Sequence, residues 1–244
     1  MNTFSDSFAT AVLLIAGFDP SLAAIVARSL AVSGVSCALA CAIGLPLGAW
    51  LGVAGFRGRA IVLTILNTML ALPSVVVGLI VYVLLSRSGP LGFLGWLFSF
   101  KAMVIAQTVL VLPVVAALTR QSVEDAHATG GEQLLSLGAG AWLRSLLLAW
   151  DERYALLTIA ITAFGRAVSE VGAVMTVGGN IEGFTRVMTT AIALETSKGD
   201  LPLALALGIV LLGIVLLLNA AIALVRRWRL VRDDRLLVLA GAPA

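Results

Sequence analysis

Charge, histidine, cysteine and lysine are all scarce in this sequence. Only 12% of the 244 residues are Asp, Glu, Lys or Arg, against roughly 25% in an ordinary soluble domain. With 60% hydrophobic residues and a mean hydropathy of +1.07, a water-soluble globule is excluded and an integral membrane protein is implied. The net charge of +3 is small, and its arginines form no stripe among aromatics, which excludes nucleic acid as a partner. The single histidine, His127, falls in a polar stretch where solvation is its expected state. An intramembrane Ser–His protease therefore lacks its base, and metal catalysis lacks a His/Asp/Glu cluster in any span. Cys37 and Cys41 sit four residues apart in an apolar run and share a helix face, where they are expected to pack as small side chains. A soft-metal site is the alternative, but no third thiol or nearby histidine completes it, and no metal is expected. The two lysines, Lys101 and Lys198, follow Phe100 and Ser197, so no GxxxxGK[ST] loop exists to cradle phosphates. Hydrolysis of a nucleotide by this chain is not expected.

What is abundant is apolar sequence, arranged as an all-α membrane protein with five predicted transmembrane helices at about 22–53, 60–85, 102–119, 154–177 and 201–225. Residues 1–21 precede them as an interfacial segment, because the apolar run from Phe8 to Phe18 is shorter than the ~20 residues a span requires. No basic n-region precedes that run, so it is not expected to be a cleaved signal. In the first span, Pro46 offers a kink, and Gly44, Gly48 and Gly52 repeat at four-residue spacing, a ridge that lets another helix approach closely. The second span carries Thr64, Asn67, Thr68, Pro73 and Ser74; the third carries Gln107, Thr108 and Pro113; such polar groups hydrogen-bond neighbouring helices. Between the fourth and fifth spans, residues 187–196 are expected to form a short helix that dips into the protein. Residues 226–244 form a tail anchored by Trp228 at the headgroup level.

Five spans place the termini on opposite sides. With the tail inside, ten arginines (57, 59, 120, 144, 153, 226, 227, 229, 232 and 235) lie on the cytoplasmic side and four basic residues (Arg87, Lys101, Arg186, Lys198) lie outside. The positive-inside rule therefore puts the N-terminus out, the C-terminus in and residues 120–153 in the cytoplasm of a multi-pass cell (inner) membrane protein.

That 120–153 stretch is the long polar interruption of the chain, yet it carries Leu134, Leu135, Leu137, Trp142, Leu143, Leu146 and Leu147. Seven ionised residues before Arg153 forbid a span, since each costs about 2.5–3.5 kcal/mol at bilayer depth. Apolar side chains held in water on a polar-rimmed surface call for a second protein to cover them.

The run from Glu132 to Gly138, with Gly140 following, resembles the EAA loop of ABC importer permeases, although Gln133-Leu134-Leu135 stands where that family has small alanines and Trp150-Asp151 where it has Leu-Pro. Further stretches, from about 22 to 225, resemble the permease of tungstate-type ABC importers, a family grouped with the molybdate and sulfate permeases. They are Asn67-Thr68, Ala71-Leu72-Pro73, residues 86–92, residues 165–173, residues 178–181, residues 189–192 and residues 195–200. The resemblance implies a type I importer fold in which two short helices meet at Gly138 and dock on an ATP-hydrolysing subunit through Glu132, Leu134, Leu135, Leu137, Gly138, Gly140 and Trp142. It also implies a homodimer, two separate ATPase subunits that carry ATP and magnesium, and a periplasmic or extracellular oxyanion-binding protein. The cargo it implies is a tetrahedral oxyanion, most specifically tungstate, with molybdate or sulfate as alternatives, moved by alternating access.

Arg166 and Glu170 are the only charges deep in a span. Four residues apart on one face of a continuous helix, they are expected to form an internal ion pair. The functional alternative makes Arg166 a positive waypoint for the anion. Together with Ser169, and with Asn67 and Ser74 of the second span, they are the candidate translocation-path residues. Arg28, with Ser29, Ser33 and Ser36, opens the first span and is expected to snorkel to headgroups. Gly178, Gly179 and Asn180 are expected to end the fourth span, with an anion-binding turn as the alternative. A secondary transporter is the rival reading, and the sequence shows no internal duplication to favour it.

Overall fold

The computed structural model describes residues 3–17 and 19–239. Met1, Asn2 and Phe18 of the expected interfacial segment, and residues 240–244 of the tail, lie outside the described residues. Among the described residues the regular structure is helical throughout, with one short 3-10 turn at Gly92–Leu94.

The bundle is built on two long helices, α2 (Pro20–Val53) and α5 (Phe100–Ser136). Asp19 starts α2 by accepting the Leu22 N–H at 2.9 Å, and Pro20 occupies the first turn, where no donor is needed. Pro46 lies inside α2 without ending it. The predicted glycine ridge is where α2 meets α5. A Cβ at Gly44 would lie 3.0 Å from Val115, one at Gly48 2.4 Å from the Ala116 carbonyl oxygen, and one at Gly52 2.9 Å from the Arg120 carbonyl oxygen. Nearer the start of α2, Ser36 donates to the Val104 carbonyl at 3.3 Å. Partners thus rise in number together, so the two helices run parallel, and the intervening segment has to return the chain to its starting end.

That return is not the single helix expected over 60–85. It is two helices, α3 (Arg59–Leu70) and α4 (Ser74–Leu85), set at 100° to each other. Pro73 is the cause: it has no N–H to donate and forces Leu72 out of helical geometry. The stretch 154–177 is likewise interrupted, into α7 (Arg153–Val168) and α8 (Gly172–Gly178), bent by 56°. Among the described residues three helices are long and apolar enough to cross a membrane, or up to five spans if each bent pair counts as one. The two breaks lie side by side, since a Cβ at Gly172 would meet Ser74 Oγ at 2.7 Å and one at Gly78 would meet the Ala173 Cα at 2.8 Å. Carbonyls freed by the second break find donors nearby: Gln107 Nε2–H donates to Ala167 O at 2.9 Å and Thr189 Oγ–H to Glu170 O at 2.7 Å.

The third span also differs from expectation, because α5 does not stop at 119. It continues to Ser136, 37 residues and about 55 Å in all, well beyond a ~30 Å hydrocarbon core. No glycine or proline interrupts it between Pro113 and Gly130. The short helix expected at 187–196 is α9 (Met188–Lys198), and the last helix, α10 (Leu201–Leu239), carries its long apolar stretch at Leu201–Val225. The N-terminal helix α1 (Thr3–Ala16) is seated on the bundle: Ala11, Leu14 and Ile15 join a core cluster with Ala206 and Leu207 of α10.

Candidate functional site

At one end of the bundle the chain forms an elbow. Helix α5 stops at a cap in which Leu137 N–H donates to Gln133 O, Gly138 N–H to Leu135 O at 2.9 Å and Ala139 N–H to Leu134 O at 3.0 Å. Gly138 makes this possible with φ +77°, a left-handed conformation that a Cβ disfavours. Gly140 has ordinary extended geometry, so the turn is the work of Gly138 alone. Helix α6 (Ala141–Asp151) then leaves in a new direction. One of the two helices that meet at the glycine is therefore the end of α5 rather than a short helix of its own.

The elbow has an inner and an outer face. Ser145 and Leu148 are buried, and Leu148 packs with Ala49, Val53 and Val123, with Leu134 against the same cluster. Leu134, expected as an anchor for a partner, thus fastens the elbow to its own bundle. The outer face keeps the rest: Glu132 is exposed, Leu135 and Leu143 are about half exposed, Leu137 is 82% exposed, Trp142 61% and Trp150 69%. Leu146, Leu147 and Trp150 continue into an apolar groove of about 650 Å³ that also takes in Leu45, Leu156 and Leu157. Arg153 closes the groove's end, its guanidinium 5.5 Å from the Trp150 ring and 4.9 Å from that of Tyr154.

The second cluster surrounds the two helix breaks. Arg166 sits in the last turn of α7, exposed, and makes no ion pair among the described residues. The expected Arg166–Glu170 pair does not form because the helix ends at Val168 and Glu170 falls in the break. Glu170 instead turns to α8, its Oε1 accepting the Ala173 N–H at 3.2 Å. Ser169 is exposed and donates to Gly165 O, and Ser74, first residue of α4, lies against Gly172. Asn67 is exposed on α3 and is not brought to this cluster by any hydrogen bond. Gln107 is 3% exposed with its Oε1 unpaired.

At the far end, Arg28, expected to snorkel to headgroups, is instead held by backbone carbonyls of the protein. Its guanidinium donates to Gly183 O at 2.8 Å and Arg186 O at 3.1 Å, tying α2 to the loop before α9. In that loop Arg186 lies 3.6 Å from the buried carboxylate of Glu195, which Lys198 also reaches at 3.2 Å. The one trace of this network visible in the sequence is the three-residue spacing of Glu195 and Lys198. Gly178, Gly179 and Asn180 do form a helix-ending turn, with Gly179 N–H donating to Met175 O and Asn180 Nδ2 to Thr190 O. Cys37 and Cys41 lie 3.9 Å apart at Sγ, with Cys37 packed against Ala40, Val111 and Val115. His127 is half-buried beside Gly131 rather than fully solvated.

Comparison with known proteins follows the same lines. No protein-family model matches the chain. Over 223 residues, 91% of this chain and 97% of the other, it is 42% identical to the tungstate uptake system permease protein TupB of Peptoclostridium acidaminophilum. To the protein of that name from Campylobacter jejuni subsp. jejuni it is 39% identical over 214 residues, covering 88% of this chain and 90% of the other. It is 31% identical over 179 residues to the molybdenum transport system permease protein ModB of Escherichia coli (strain K12), covering 66% of this chain and 77% of the other.

Proposed function

We propose, because this chain belongs to the family of tungstate uptake permeases, that it is the membrane-spanning subunit of an ATP-binding cassette importer for a tetrahedral oxyanion, foremost tungstate. The observation that carries the reading is the elbow: a set of leucines and tryptophans exposed at the tip of a 37-residue helix too long for any bilayer. Each such side chain gains about 1.5–3 kcal/mol when a partner removes it from water. Leu135, Leu137, Trp142 and Leu143, beside Glu132, form the surface on which a separate ATPase subunit closes. ATP and magnesium belong to that subunit, since this chain carries no phosphate loop.

Two copies of the chain, each with its own ATPase, form the working unit, and an oxyanion-binding protein delivers cargo on the side opposite the elbow. The arginine distribution supports an orientation with the N-terminus outside and the C-terminus in the cytoplasm. ATP brings the two motors together, the elbows follow, and the bundles rock so that a shared cavity opens outward; hydrolysis resets it. A dianion cannot enter hydrocarbon without a substitute for its hydration. Arg166, exposed in the single chain and without a carboxylate partner among the described residues, supplies a positive charge in the last turn before the second helix break, three residues ahead of Ser169. An isolated arginine facing lipid would be unfavourable by several kcal/mol, so this face belongs toward the second copy.

The kinship with a molybdenum permease favours one second reading, in which molybdate is the cargo. Proteoliposomes holding the complete transporter decide both. The expected result is tungstate uptake that requires MgATP, with molybdate competing only in large excess. Uptake driven by an ion gradient without ATP would overturn the reading in favour of a secondary transporter. Preferential uptake of molybdate with the unaltered binding protein would move the assignment to molybdate.

A further inference from the structure

If the elbow is driven by a motor, its movement has to reach the broken helices, and one residue stands on the way. Glu124 lies on α5, beyond the expected end of the third span and before the elbow. Its two carboxylate oxygens hold arginines from different elements. Oε1 accepts from Arg59 Nη2 at 3.0 Å, and Oε2 accepts from Arg120 of α5 itself. Arg59 is the first residue of α3, and its Nε and Nη2 also donate to the Leu51 carbonyl near the end of α2, at 3.3 and 3.2 Å. The end of α2 is pressed onto the same turn, since a Cβ at Gly52 would sit 3.1 Å from the Glu124 nitrogen. Three helices are therefore fastened at this point.

Stability is a poor reason for the arrangement. The side chains are between one-fifth and two-fifths exposed, and ion pairs in such positions contribute little to folding. Its position is the better clue. Helix α3 has few other holds on the bundle: of its residues only Leu66 is buried, in a cluster with Leu51, Ala116 and Ala117. Its far end is the Pro73 break, where Ser74 rests on Gly172, two residues from Glu170. Displacement of the α5 extension passes through Glu124 to Arg59, along α3 as a short rigid rod, and into the break.

We propose that Glu124 is the joint that transmits movement of the α5–α6 elbow to α3, and that Arg59 is its receiving end. The proposal rests on the ATP-driven transport reading above. Both are positioning residues, neither touching cargo nor nucleotide. Glu124→Gln keeps the side chain's size and removes its charge. The test is the amount of tungstate accumulated per ATP hydrolysed by the complete transporter in proteoliposomes, with complex assembly followed by size-exclusion chromatography.

The expected result is an intact complex that still hydrolyses ATP but moves roughly three- to fivefold less tungstate per ATP, the size of a lost exposed charge pair. Arg59→Gln should do the same, and the double variant should be no worse than either single one. An unchanged ratio, additive losses, or uptake and hydrolysis falling in step in an assembled complex would overturn the joint. Should Glu124→Gln fail to assemble, Arg59→Gln decides by the same ratio, because it leaves Arg120 on Glu124. Absence of ATP-driven uptake by the unaltered chain would bring down the transport reading itself, and the joint with it; a normal ratio in the variants removes only the joint.

Discussion

Gly48 has no room for even one more carbon: its missing Cβ would sit 2.4 Å from the Ala116 carbonyl oxygen and 2.8 Å from Thr119 Cβ. Backbone cannot move aside as a flexible side chain can, so Gly48→Ala should separate α2 from α5 and destabilise the bundle by about 1–3 kcal/mol, with lower yield and lower melting temperature in detergent. Gly34, with nothing within 4 Å of its Cβ, is the matched control, and its alanine variant should melt as the unaltered chain does. Arg28→Gln should loosen the loop before α9 through loss of two carbonyl contacts, read as faster amide exchange at Gly183–Arg186 with the helices unaffected. At this scale the sequence was informative where spacing alone decides, as for the glycine ridge. It misled where a residue's role depends on whether its helix continues. Arg166 and Glu170 are spaced for a helical pair, but the break at Ser169 sends Glu170 to cap α8 and leaves Arg166 with no ion pair among the described residues. Leu134 and Leu135 look equivalent as letters, yet only the three-dimensional course of α5 shows that one faces Val123's cluster and the other faces outward.

In the proposed mechanism α5 and α6 receive the force, and the turn between them can be tested from both sides. Gly138→Val places a branched side chain at φ +77°, at a cost of about 1–2 kcal/mol, and should shift the direction of α6 enough to uncouple hydrolysis from uptake. Leu137→Asp leaves the turn intact and attacks the contact surface. With 82% of Leu137 exposed in the free chain, its replacement should weaken binding of the ATPase subunit roughly 10- to 100-fold without lowering the melting temperature of the permease alone. The elbow was legible because its composition is discordant, apolar side chains in a charged stretch. Its first arm was not, since α5 passes from lipid-compatible to water-compatible sequence without a break in helical geometry, and hydropathy marks the change of surroundings rather than the end of a helix. Pro73 is visible in the sequence but lies inside what reads there as one continuous span; the 100° break at it depends on what α3 and α4 pack against, Leu66's pocket on one side and the α8 glycine contact on the other.

Across the whole molecule, the parallel run of α2 and α5 divides the loops between two ends. The link before Arg59 and the elbow share one end, joined by Glu124; the loop before α9 and the start of α2 share the other, joined by Arg28. Such a division suits a machine that receives cargo at one end and force at the other. In a variant lacking Cys37 and Cys41, a cysteine in place of Trp142 should react with an impermeant maleimide only when the cytoplasmic face is open to the reagent, and one in place of Phe184 only from outside. In the proposed mechanism, force enters at the elbow from a separate ATP-hydrolysing chain. Its most direct measurement puts a single cysteine at Leu137 and a short thiol-to-amine cross-linker in native membranes. One dominant product is expected, this chain joined to an ATPase subunit; products with lipid or with no protein at all, in membranes that still import tungstate, would rule that mechanism out.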